Sequence, residues 1–410
     1  MNKKIIIPLI FALVGTSFVS YSFLDTFIIP KNTRKVNLNE GIDDFFFDEP
    51  SSSISNPPFS SNPTSSSSKT ESEHSLIQTP LSSEESQQVN QSSEVSSSDE
   101  SSSEESSSEK NSSEVSSSEE SSSEAISSEE NNTFFTSEVV FREREHYSSP
   151  NIYIDITTHR DPEDTTTYYV ADIRLKHLKY LKTALAKDTF GENVVERTSD
   201  ICKRNKGILA INGDYYGAQE AGYVLRNAKA LRSTVSKSNV GQNPRKNPED
   251  LAIYRDGTFE IFNEHDYTLE QIKDKGAWQV FSFGPGLIKN GEIAVGENDE
   301  VATALSGGRN QRTAIGIIEP LHYVFVCNDG RSTTDKGFSL YQLANILKDL
   351  HCTCAYNLDG GGSSTMYLDN GTGNADKLGH LVNKPSQDWQ TNSGTLGQRE
   401  ISDIVYIGEE

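Results

Sequence analysis

The chain has 410 residues and a formal net charge of −23, with 22 of its 60 acidic but only 7 of its 37 basic residues before position 134. The excess acidity is concentrated there; the remainder, at roughly −8, lacks the Lys/Arg surplus that neutralises phosphate backbones, which excludes nucleic acid as a partner. A Ser/Glu-rich stretch almost without aromatics over 51–132 leaves one folding region rather than the two or three that length alone allows.

Lys3 and Lys4 precede an uncharged apolar run over 5–24. About 20 residues at a 1.5 Å rise cross a hydrocarbon core of about 30 Å, so the run predicts a transmembrane signal anchor over 1–30 with its positive end in the cytoplasm. A cleaved signal peptide is the alternative, since Gly15, Ser17 and Ser20 are small enough for processing. No A-x-A site follows, which favours the anchor. Either way the C-terminal domain is expected outside the cell, held to the lipid bilayer by a single pass. Residues 31–140 read as a disordered linker, because SSSEE and near copies recur from Ser92 onward and like charges extend such a polymer. About 80 such residues average roughly 50 Å end to end. Serine glycosylation or phosphorylation is a second use for them.

A folded domain is expected over 145–410. Ile152, Ile154 and Ile156 alternate with polar residues, as do Tyr169, Ala171, Ile173 and Leu175, and both runs predict strands. The stretch 193–206 reads as a helix with Val194, Val195, Ile201 and Cys202 inward, ended by Gly207 before a strand over 208–211. Further strands are expected over 251–254, 258–262, 313–318 and 322–327, with hairpin turns at Asp256-Gly257 and Asn290-Gly291. Ser339 caps a second helix, whose Leu340, Leu343, Ile346, Leu347 and Leu350 fall on one face. The expected class is α+β, a mixed β-sheet core with flanking helices. Cys202, Cys327, Cys352 and Cys354 permit up to two disulfides in any of three pairings in an oxidising compartment. A zinc site is disfavoured, because Cys352 and Cys354 form a C-x-C and no second pair completes the ligands.

Four segments each follow an apolar strand and set polar residues beside glycine or a cationic fork: 212–217 (NGDYYG), 311–314 (QRTA), 328–331 (NDGR) and 357–365 (NLDGGGSST). Gly360, Gly361 and Gly362 let main-chain N–H groups approach an anion, and Ser363, Ser364 and Thr365 add hydroxyls. A nucleotide P-loop is excluded by the absence of its Lys. Asp214, Asp329 and Asp359 each sit in one of these turns, where two facing carboxylates divide acid, base or nucleophile roles. The plainer reading of any one is a turn-former bonded to its own backbone. Arg312 and Arg331 offer planar forks for a phosphodiester's non-bridging oxygens, against the alternative of surface ion pairs. Ser363 as nucleophile with His351 or His380 as base is a weaker arrangement, since no G-x-S-x-G or S-x-x-K surrounds it. His322, in mid-strand, reads as structural.

The strings ILAINGDYYG, FGPGLIKNGE, QRTAIGI, NDGR and AYNLDGGGSSTMY, with the amphipathic helix between the last two and GQREISDIVYIG at the end, resemble the phosphodiester glycosidase family over about 145–408. The resemblance implies hydrolysis of an N-acetylglucosamine-1-phosphodiester-like linkage at the anomeric carbon. Carried over by motif, Asp359, Asp214, Asp329 and Arg312 are the expected catalytic residues. Asn212, Thr313, Arg331, Asn357, Gly360, Gly361, Gly362, Ser363, Ser364 and Thr365 are expected to bind substrate or phosphate. Asn328 departs from the family pattern, where an apolar residue usually precedes the DGR turn, and so does the C-x-C. No cofactor is expected, although Asp oxygens leave a divalent cation open as an alternative. With the anchor and linker, the expected substrate is a sugar-phosphodiester in a cell-wall glycopolymer. The rival reading is a non-catalytic envelope-binding module that uses the same cavity.

Overall fold

The computed structural model describes residues 29–47, 134–163, 165–235, 248–297, 308–372, 380–385 and 397–409, all of which belong to one compact unit. Among them 22 strands stand against four α-helices of six to ten residues: α1 (Ile42–Phe47), α2 (Thr198–Arg204), α3 (Leu269–Asp274) and α4 (Leu340–Asp349). The fold is therefore mostly β, which corrects the α+β expectation. The mixed sheet is corrected too, because the strand pairings among the described residues are antiparallel. Part of the physical reason lies in the connections: tight turns join Thr313–Glu319 to His322–Asn328 and Ile152–Asp161 to Thr166–Leu175, which forces antiparallel pairing there. The expected helix over 193–206 splits. Asn193 takes a left-handed φ of 55°, which no α-helix accommodates, and Glu196–Arg197 pairs as a strand with Glu400–Ile401.

The expected membrane-spanning helix is likewise corrected. Among the described residues no helix is long and apolar enough to cross a membrane, and the run over 5–24 lies outside them. The single-pass placement and the bilayer partner are withdrawn with it. Most of the linker expected over 31–140 also lies outside the described residues, but its two ends, 31–47 and 134–140, do not. Lys31–Lys35 pairs with Thr189–Glu192, and α1 sets Phe45 and Phe46 against Trp278 with ring centroids 5.1 and 4.8 Å away. Residues 31–47 are thus built onto the folded unit.

The largest sheet has nine strands in the order Glu292–Ile293, Gly286–Lys289, Cys354–Asn357, Thr313–Glu319, His322–Asn328, Thr166–Leu175, Ile152–Asp161, His146–Ser148, Val140–Arg142. A four-stranded sheet, ordered Met366–Leu368, Leu209–Asn212, Asp403–Ile407, Leu181–Leu185, packs against it through a shared core that includes Ile154, Ile173, Ile211, Phe325, Tyr356 and Val405. A five-stranded sheet supplies Leu251, Ile253 and Trp278 to the same core. Alternation of inward apolar and outward polar residues drives this burial. On the other face of the large sheet α4 buries Leu340, Leu343, Ala344 and Leu347. Its N-terminus carries a capping box: Ser339 Oγ accepts from Gln342 N at 3.1 Å while Gln342 Oε1 accepts from Ser339 N at 2.8 Å.

This layering brings the expected segments together. In the large sheet, register places Thr313 opposite Cys327 and Ala314 opposite Asn357. The start of one strand and the ends of its two neighbours therefore share one sheet edge. Asn212, at the end of its strand in the smaller sheet, meets that edge through a 2.8 Å hydrogen bond from Thr313 Oγ1.

Candidate functional site

Asn212 is fully buried and ties three segments together. Its Oδ1 accepts from Thr313 Oγ1 and from Thr365 N at 3.2 Å, and its Nδ2 donates to the carbonyl of Asp359 at 2.8 Å. Its polar capacity is spent on scaffolding. Asn357 donates to the Gly284 carbonyl at 2.8 Å, while its Oδ1 is buried without a hydrogen-bond partner. Ser364 Oγ and Thr365 Oγ1, a few residues on, are buried in the same condition.

The three aspartates differ sharply. Asp214 lies in a closed ionic array: its Oδ1 meets Arg226 Nη2 at 2.8 Å and its Oδ2 accepts from Ser282 N at 2.8 Å. Arg226 also meets Asp403 Oδ2 from both Nε and Nη2 at 2.9 Å, and neither it nor Asp214 has exposed side-chain surface. Burial pushes the Asp403 carboxyl well above the usual carboxylate range, against the pull of Arg226. Asp329 is a clamp: its Oδ2 accepts from Tyr169 Oη at 3.0 Å and its Oδ1 from Lys384 N at 2.7 Å. Asp359 spends Oδ1 on Gly360 N at 2.8 Å, whereas its Oδ2 is buried with no partner. Burial raises its pKa, opposed by the nearby Ser363 hydroxyl, the charge of Arg399 and the Gly360 amide.

The glycines explain themselves through what a side chain would strike. A Cβ at Gly361, whose φ is +63°, would sit 3.0 Å from Arg331 Nη2; one at Gly362 would sit 3.0 Å from Arg399 Nη2; and one at Gly360 would lie 2.8 Å from the Gln311 carbonyl and 3.9 Å from Arg312 Nη1. Three guanidinium groups thus fan across three consecutive glycines. Arg312 is 4% exposed and donates from Nε to the Phe338 carbonyl and from Nη2 to that of Gly308, each at 3.2 Å. Its pKa is lowered to about 10, first by burial and then by the like charge of Arg331. Arg331 is exposed and holds a left-handed φ of 53°.

The expected site residues therefore converge, but Arg226, Arg399 and Asp403 were missed. Asp403 and Arg226 carried a weak signal, a charge inside an otherwise apolar strand (DIVYI and VLR). Arg399 carried only its place in the closing string GQREISDIVYIG. The Ser363–histidine arrangement is not assembled: His380 Nδ1 lies 3.0 Å from the Leu368 carbonyl and its ring stacks on Phe141, while Ser363 Oγ accepts from Arg399 Nη1 at 3.3 Å. His322 Nε2 sits 2.6 Å from Asp172 in mid-sheet. All four cysteines are free thiols, and among the described residues no cluster of His, Cys, Asp or Glu is arranged to hold a metal ion.

Comparison with known proteins bears on this constellation of carboxylate, guanidinium fan and glycine turn. Residues 205–408 match the family model described as phosphodiester glycosidase. The human N-acetylglucosamine-1-phosphodiester alpha-N-acetylglucosaminidase is 30% identical over 212 residues, 49% of this chain and 38% of that enzyme. The mouse enzyme of the same name is 28% identical over 212 residues, 49% and 37% respectively. A SPbeta prophage-derived uncharacterized protein, YomE of Bacillus subtilis, is 26% identical over 180 residues, 44% of this chain and 27% of its own. The matched span is thus less than two fifths of these relatives' length. Among solved structures, the zebrafish catalytic domain of the same enzyme, auto-inhibited by its pro-peptide, superposes with a TM-score of 0.49 at 24% identity, covering 67% of this chain and 88% of that one.

Proposed function

We propose that this site hydrolyses sugar-1-phosphodiesters at the anomeric carbon, the linkage for which the mammalian relatives are named. One observation carries the reading: Asp359 Oδ2, buried and without a partner, lies on the same turn as the glycines that receive three guanidinium groups. As the bond between the anomeric carbon and the phosphate oxygen breaks, its electron pair leaves with the oxygen. The departing group passes from one negative charge to two. Arg312, Arg331 and the main-chain N–H groups of the glycine turn meet charge that grows in the transition state, where such donors are each worth about 10²–10³ in rate. Water supplies the hydroxyl that ends on the sugar and releases one proton.

Asp359 is the working carboxylate in this scheme, as nucleophile or as the base that takes the proton of water. Asp214 is locked by Arg226, and Asp329 fixes the Lys384 backbone beside the cup. The cell-wall glycopolymer expected as substrate drew on the anchor and carries no support of its own once that is removed. The test is release of free sugar from a soluble N-acetylglucosamine-1-phosphodiester by the full chain. Asp359→Asn is expected to lower turnover at least 10³-fold while leaving thermal unfolding within a few degrees. Wild-type turnover no faster than that of the variant overturns the reading.

A further inference from the structure

Residues 382–384 form a strap between two of the turns that build the site. Asn383 is buried and holds the glycine turn with both ends of its amide: Oδ1 accepts from Met366 N at 2.8 Å, and Nδ2 donates to the Ser364 carbonyl at 2.9 Å. Val382 N adds a bond to the Met366 carbonyl at 2.9 Å. The next residue seats on the other turn. Lys384 N donates to Asp329 Oδ1 at 2.7 Å, while Tyr169 Oη donates to Asp329 Oδ2 at 3.0 Å and Asp329 N to the Thr167 carbonyl at 2.9 Å. The strap thus ties 328–331, which carries Arg331, to 357–365, which carries Asp359 and Gly361. Gln311 bridges the same turns at the glycine end: its Nε2 donates to the Gly330 carbonyl at 3.2 Å, and its carbonyl accepts from Gly361 N at 3.0 Å. One tether leaves two turns free to hinge about it; two fix the angle between them. On that angle depends the approach of Arg331 to Gly361, where a Cβ would lie 3.0 Å from Nη2.

We infer that Asp329 and Asn383 are positioning residues for the proposed reaction, acting through the 382–384 strap to hold the Arg331 turn against the glycine turn. The inference rests on the proposed hydrolysis for its kinetic consequence but not for its structural one. Asp329 takes no part in proton transfer on this account, since both of its carboxylate oxygens already accept a hydrogen bond from the protein. Asn383 is suited to its place because the Met366 amide needs an acceptor and the Ser364 carbonyl a donor, and a neutral side-chain amide offers one of each.

Rescue by the conservative variant separates positioning from chemistry. Asp329→Asn can keep both contacts: its amide oxygen accepts from Lys384 N, and its amide nitrogen donates to the Tyr169 oxygen, which accepts as well as donates. Its kcat on the soluble phosphodiester is therefore expected within about threefold of wild type. Asp329→Ala and Asn383→Ala should each lose about 10–100-fold, the scale set by misplacing reacting groups by about an ångström. Because the two residues act in series, the double alanine variant should be slower than the worse single one by no more than about threefold. Asp329→Asn as slow as Asp329→Ala overturns the inference and returns Asp329 to the chemistry. Losses that multiply in the double variant overturn it too.

Hydrogen exchange of the full chain, read by mass spectrometry on its peptides, decides the structural half without turnover. In both alanine variants the peptide over 359–366 should exchange at least about tenfold faster, with α4 unchanged. An unchanged 359–366, or an equal acceleration in α4, refutes the inference. Faster exchange confined to 359–366 beside a wild-type chain that releases no sugar refutes the proposed hydrolysis and leaves the strap standing.

Discussion

Arg226→Met is the most demanding test of how this site is built. The guanidinium is fully buried, 2.8 Å from Asp214 and 2.9 Å from Asp403, and it also donates to the carbonyls of Leu225 and Val280. Methionine keeps the unbranched stem as far as the position of Nε and loses the guanidinium carbon that lies 4.5 Å over Phe281. Most of the apolar stem survives and the charge does not. Removing one member of a buried ionic group costs about 3–5 kcal/mol, because the survivors are left charged in a poor solvent. For a folded part of about 250 residues this lowers Tm by roughly 6–20 °C.

The pH dependence supplies the check on mechanism. Asp403 already binds its proton more tightly than an ordinary carboxyl, and without Arg226 it will do so more tightly still. A carboxyl raised in the folded state takes up protons on folding, so its contribution to stability is present at low pH and lost as pH rises from about 4 through the folded value. The deficit of the variant is therefore expected to be largest near pH 8 and smallest near pH 5, measured by urea unfolding followed through the buried Trp278. A deficit below about 1 kcal/mol at pH 8, or one that does not shrink toward pH 5, refutes the reading of Arg226 as the charge that holds these carboxylates.

Three further outcomes follow from the geometry. The acid limb of kcat/KM should lie above the ordinary Asp value of about 4, since burial raises Asp359 and activity is lost as pH falls through that raised value; full activity down to pH 4 contradicts it. Leu343→Ala, at a fully buried position of α4, should cost about 3 kcal/mol by urea unfolding, and a loss under 1 would place α4 outside the cooperative core. Gly337→Ala puts a Cβ 2.5 Å from the Asn310 backbone at φ +89°, next to the Phe338 carbonyl that holds Arg312. It should reduce both stability and sugar release, whereas Gly291→Ala, at φ +75° with nothing within 4 Å, should cost only about 1 kcal/mol of strain and leave turnover intact.

Much of this was legible in the sequence where a local rule sufficed. Alternation located the strands around Ile154, Ile173 and Phe325, the Ser339 cap located α4, and glycine beside aspartate located the turns. What failed was non-local. Whether 193–206 becomes one helix depends on Asn193 adopting φ 55° and on Glu196–Arg197 finding Glu400–Ile401, some 200 residues away. Residues 31–47 look like linker by composition, yet Phe45 and Phe46 find Trp278. Aspartate roles were illegible for the same reason. Asp214 and Asp359 each flank a glycine, and only the arrival of Arg226 at Asp214 distinguishes a locked carboxylate from one with an unpartnered oxygen.

The arginines make the same division, which argues for where binding energy is released. Arg226 sits between two carboxylates, so its charge is answered within the protein and an arriving anion gains little from it. Arg312 donates to two carbonyls, which satisfy its N–H groups without neutralising it, and Arg331 faces the same glycine turn closely enough to depress its pKa. The like charge of exposed Arg331 beside buried Arg312 repels it, with solvent screening part of that repulsion. In the proposed hydrolysis a phosphate docking against the two would relieve it, and would relieve more as the leaving oxygen acquires its second charge. Such relief would be greatest in the transition state, the condition under which binding raises kcat rather than only lowering KM.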